Sequence, residues 1–146
     1  MNWLRLTVLT MLLMAVAAFA EAPSLPTIPS PALEQLYLKA TRTYMGYGMD
    51  EFSMTLDANG NARPISTSHE VAKDHVWVFS GDIAIVHTHP RDCDPRPSPG
   101  DSKTAKQFGI PNFVLSQFAL WAALPDGKTI VKVGNVTFKH GHIVVQ

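Results

Sequence analysis

Three rhythms of apolar residues divide the 146-residue chain. The first is a block: "MNWLRLTVLTMLLMAVAAFA" sets one positive charge, Arg5, ahead of an apolar core and ends in Ala18-Phe19-Ala20. Small residues at those two alanine positions are what a signal peptidase reads. Residues 1–20 are therefore expected to be a secretory signal peptide, cleaved between Ala20 and Glu21 rather than kept as a membrane anchor. No cysteine follows the apolar run, so a lipid-anchored form is not expected. Residues 21–30 form a proline-spaced leader, expected to be extended and mobile.

The second rhythm is helical. Ser30-Pro31 reads as a cap followed by proline in the first turn, and Leu33, Leu36, Tyr37, Ala40 and Tyr44 recur at helical spacing. A helix is expected from Ser30 to about Tyr44, ended by Gly46 and Gly48. "SPGDSKTAKQF" predicts a second helix, with Ser98 as the cap, Pro99 in the first turn and Asp101 completing a capping box.

The third rhythm alternates. "EFSMTLD" places Phe52, Met54 and Leu56 on one face of a strand, "DANGN" turns the chain, and a return is expected through Ala62 to Ser66. "HVWVF", "IAIVHTH", "NFVLSQFALWAAL", "TIVKVG" and "HIVVQ" all have strand composition, while "STSHEVAKD" is ambiguous. Strands outnumber helices without an internal repeat, so the class is α+β, with residues 31–146 forming one domain.

Charge excludes some partners. Removing the signal takes Arg5 from twelve basic residues and leaves eleven against twelve acidic ones. No basic patch argues for nucleic acid, and no membrane contact is expected once the signal is cleaved. Cys93 is the only cysteine, so no intramolecular disulfide can form.

Chemistry concentrates in "IVHTHPRDCDPRPSPGD". Residues two apart on a strand share a face, so His87 and His89 point the same way while Thr88 points to the other. Asp101, in the first turn of the next helix, adds a carboxylate if the proline-crowded loop folds back. Two histidines and a carboxylate are a common catalytic zinc set with a fourth position left for water. Such a metal lowers the pKa of water and polarises a carbonyl.

His87-Thr88-His89-Pro90, followed by Pro97-Ser98-Pro99-Gly100-Asp101, resembles the H-x-H-P…P-S-x-x-D signature of the JAMM (JAB or MPN+) zinc metalloproteases. Glu51 stands where that family carries a glutamate at the start of an earlier strand, and "FGIPNFVLS" is similar to its next strand. The resemblance covers roughly Leu33 to Ser116. It implies a cytidine-deaminase-like architecture: a central mixed sheet flanked by helices, with the zinc site at a strand end and a helix N-terminus. It also implies one Zn²⁺ on His87, His89 and Asp101, Glu51 as general base, and Ser98 as the hydroxyl that helps stabilise the oxyanion. Eight residues separate His89 from Ser98, one more than the family's usual spacing, and Met54 replaces its common glycine.

The activity so implied is hydrolysis of a peptide or isopeptide bond in a peptide or protein substrate. Oligomeric state and substrate identity leave no mark in the sequence. The alternatives are a metal-binding or interaction module without catalysis, and an exported effector. Glu70 rivals Glu51 for the base, and Cys93 is a possible fourth ligand or a bystander. Arg91 and Arg96 flank the site, where they would favour an anionic group or solubilise the loop. His140 and His142 read as solvent-facing. Trp77, Phe79, Phe113, Phe118, Trp121 and Phe138 read as core or rim.

Overall fold

The structure, a computed structural model, describes residues 24–43, 50–63, 66–67 and 77–146. The signal peptide, Tyr44, Gly46, Gly48 and Glu70 lie outside the described residues.

Helix α1 spans Ser30–Thr43. Leu33, Leu36 and Ala40 are buried along one side of it, as their spacing requires. Burying each leucine contributes about 1.5–3 kcal/mol. The described part of the leader reaches the core. Ile28 is buried in the same core and Leu25 packs against it, so apolar residues spaced by prolines anchor the chain ahead of the helix.

Among the described residues, seven strands form one sheet: β1 (Phe52–Leu56), β2 (Ser66–Thr67), β3 (Ala84–Thr88), β4 (Asn112–Leu115), β5 (Ala119–Ala123), β6 (Ile130–Lys139) and β7 (His142–Val145), in the order β2-β1-β3-β4-β5-β6-β7. Helix α2 (Pro99–Phe108) lies between β3 and β4 in sequence. It returns the chain so that these two strands run parallel, while the other pairs are antiparallel. This is the α+β class that the strand and helix patterns predict.

Strand alternation separates two faces. Phe52, Met54, Leu56, Ala84, Val86, Phe113, Leu115, Leu120 and Ala122 form the core beneath α1. The intervening positions, including His87, Asn112 and Val114, face the side on which α2 lies, because Asp101 of that helix meets His87. One helix therefore covers each face.

Local chemistry explains the turns. Asp57 accepts from the backbone N–H groups of Asn59 and Asn61, and Gly60 adopts φ 80°, closing "DANGN". Among the described residues of the return, Ala62 bridges Leu56, and Ser66 and Thr67 pair with β1. His140 (φ 53°) and Gly141 (φ 82°) make the two-residue hairpin between β6 and β7. His142 is exposed and pairs with Glu34 of α1. One expected strand is absent where described. Trp77–Phe79 is not extended in the sheet, because the Phe79 N–H donates to the Asp82 carboxylate and the Asp82 N–H to the Phe79 carbonyl. Phe113 is core, whereas Trp77, Phe79, Phe118 and Phe138 are exposed.

Candidate metal centre

The end of β3 puts both imidazoles on the α2 side of the sheet. Their ring centroids lie 5.0 Å apart, with His87 buried and His89 half-buried. Helix α2 begins as its sequence predicts. Ser98 Oγ accepts from the Asp101 N–H, and the Asp101 carboxylate accepts from the Ser98 N–H at 2.7 Å and from its hydroxyl at 2.8 Å. This reciprocal cap fixes the Asp101 rotamer and aims the rest of the carboxylate at the histidines.

The outcome is a three-donor group. His87 Nε2 lies 3.2 Å from Asp101 Oδ1, and His89 Nε2 lies 3.5 Å from Asp101 Oδ2. One ligand atom from each of the three residues falls within 4.8 Å of the others. A tetrahedral zinc with bonds of about 2.0–2.1 Å separates its ligands by about 3.3–3.4 Å, so the two nitrogen–oxygen spacings suit such an ion. The longer loop does not displace Asp101. Cys93 is exposed and stands outside the three-residue group.

Each histidine is held from behind. His89 Nδ1 lies 2.7 Å from the Asp94 carbonyl oxygen, which can only accept, so Nδ1 carries the proton and donates. Arg96 clamps the Asp94 carboxylate at 2.6 Å and holds its pKa down to about 2. The residues that lengthen the loop thus build the support for His89, and Arg96 is engaged by Asp94. His87 Nδ1 lies 3.0 Å from Asn112 Oδ1.

Glu51 reaches the same place by register. Ser53 pairs with His87 in the antiparallel β1–β3 ladder, so continuing the ladder sets Glu51 opposite His89 on the same face. The negative charge of Glu51 is among those that raise the His89 pKa. Thr88 secures this arrangement from beneath. It is fully buried, its hydroxyl donates to the Asp50 carbonyl at 2.6 Å, and it accepts from the Phe52 N–H at 3.0 Å. Those two bonds bracket Glu51. Replacing Thr88 with valine keeps the volume and leaves a buried N–H and a carbonyl short of a partner. The expected loss is about 1–3 kcal/mol in urea unfolding, restored by Thr88→Ser.

Electrostatics follow from the contacts. Burial pushes the Asp101 carboxyl up, but hydrogen bonds from His87, His89 and Ser98 outweigh it and hold it far below the usual carboxylate range. Burial pulls His89 down, yet the bonds to Asp101 and the Asp94 carbonyl, with the charges of Asp101 and Glu51, raise it above its ordinary 6.5. In the metal-free chain the charged His89 therefore stabilises the fold below pH 6.5, and that contribution is lost as pH rises through the elevated pKa. A metal needs the neutral imidazole instead. Zinc affinity is expected to climb with pH through the His89 titration and to level off above it, with proton release below it. Calorimetry in buffers of different ionisation enthalpy measures that release. An affinity flat across the titration would contradict it.

Pattern reasoning names His87, His89 and Asp101, which the structure brings together, Ser98, which bonds Asp101, and Glu51, whose charge is felt at His89. It misses Asn112, whose part depends on the parallel register of Ile85 with Asn112, and the Asp94 carbonyl, which has no side-chain signature. Comparison with protein-family models, curated proteins and solved structures gives no match to this chain.

Proposed function

We propose that this chain is an exported zinc-dependent metallopeptidase of JAMM type, with the JAMM/MPN, cytidine-deaminase-like arrangement of its sheet. The observation that carries the reading is the meeting of His87, His89 and Asp101 within 4.8 Å, with the charge of Glu51 felt at His89. Two imidazoles and one carboxylate leave room in a tetrahedral set for a fourth ligand, the mark of a catalytic rather than a closed structural site. When bound, zinc supplies Lewis acidity and a water acidified towards neutrality.

The remaining roles belong to the chain. Glu51 accepts the proton of the attacking water on its carboxylate and returns it to the leaving amine, so no covalent intermediate with the protein is needed. Ser98, whose hydroxyl donates to the Asp101 carboxylate, would turn that one proton to the developing negative charge of the substrate. The export signal favours substrates outside the cytoplasm: short peptides, protein tails or peptide cross-links of a cell wall. The test is cleavage of a peptide library, read as new termini by mass spectrometry, by the zinc-loaded chain and by its Glu51→Gln variant.

A further inference from the structure

We propose that Asn112 is a positioning residue that sets the tautomer of His87 and ties it to Asp101, so that two ligands from different elements are aligned by one side chain. The proposal rests on the metal-site reading above. Asn112 opens β4 and is 3% exposed. A buried carboxamide is costly unless both of its ends are used, since each unmatched polar group loses about 1–3 kcal/mol. Both ends are used here. Oδ1 lies 3.0 Å from His87 Nδ1, and Nδ2 lies 3.4 Å from both the Asp101 carbonyl oxygen and Asp101 Oδ1.

The chemistry of these partners removes the usual ambiguity of an amide. The two atoms on the Asp101 side only accept, so the NH₂ must face them and the carbonyl must face His87. His87 Nδ1 is then the protonated nitrogen. Its Nε2 faces Asp101 Oδ1 at 3.2 Å, donates there in the metal-free chain, and would become the ligand once an ion took the place of that proton. The same amide donates to the backbone and the carboxylate of Asp101, registering the start of α2 against β3. The two long contacts make the Asp101 side the weaker half of the link. No other side chain does both jobs at this volume: leucine loses every bond, and aspartate keeps the acceptor for His87 but places a second negative charge against Asp101.

The experiment uses the full mature chain with zinc as the probe, in wild type, Asn112→Leu and Asn112→Asp. Imidazole ¹⁵N NMR of the zinc-loaded protein distinguishes the ligating from the protonated nitrogen and so reads the His87 tautomer directly. Competition with a chromophoric chelator reads zinc affinity. The expected result is a proton on Nδ1 of His87 in wild type and in Asn112→Asp. Asn112→Leu should show mixed tautomers and roughly 10–100-fold weaker zinc binding. A wild-type His87 protonated on Nε2 overturns the proposal without any variant, even if Asn112→Leu fails to fold. A folded Asn112→Leu that binds zinc within about twofold of wild type also overturns it, and leaves the metal site standing. A wild-type chain that binds no zinc overturns the metal-site reading and this role with it.

Discussion

Replacing Asp101 with alanine is expected to reduce the zinc content of the purified mature protein from about one ion per chain to none. Asp101 is the one carboxylate among the three clustered donors, and its two oxygens face different histidines. With it gone, two neutral imidazoles remain, spaced for one ion but without the negative charge that binds a divalent cation. The same change removes half of the capping box, so helix α2 should lose about 1 kcal/mol. Asp101→Asn separates the two effects. An amide oxygen still accepts from the Ser98 N–H, so the helix start should survive while zinc binding is largely lost. Stoichiometric zinc in the folded alanine variant would show that the ion is held elsewhere.

The second large effect concerns Glu51. Glu51→Gln keeps the shape of the side chain and leaves all three donors in place, so zinc content should be unchanged. Peptide cleavage should fall by about 10²–10⁴-fold, the usual contribution of a positioned general base. Geometry gives the reason. Glu51 stands just ahead of β1, its charge is felt at His89, and Thr88 bonds the chain on both sides of it. An amide there can neither take nor return a proton. Unchanged cleavage in the variant would remove Glu51 from the mechanism. Zinc bound without cleavage by either protein would mark the chain as a metal-binding module.

Much of the site could be read from the sequence because its chemistry is local. His87 and His89 share a face by strand alternation alone, and the spacing of Ser98 and Asp101 is that of a capping box. What could not be read depends on contacts between distant segments. Asn112 looks like any polar residue at the start of a strand, and only its parallel pairing beside β3 brings it to His87. The Asp94 carbonyl is backbone and carries no signature. The strand expected at His75 to Phe79 is absent over its described residues 77–79, where composition favours β structure while Asp82 draws the Phe79 N–H into a turn. The contact of Ile28 and Leu25 with the core was not legible either, since their spacing by prolines carries no helix or strand period.

The strand–loop–helix–strand segment from Ile85 to Asn112 contains all three donors and the groups that hold the two histidines. The proposed base comes from outside that segment, on the chain just ahead of β1, which pairs with β3 on the side away from β4. Metal donors and base are thus supplied by separate pieces of the chain. A catalyst and a plain metal carrier on this scaffold would differ by little more than whether one strand docks in register.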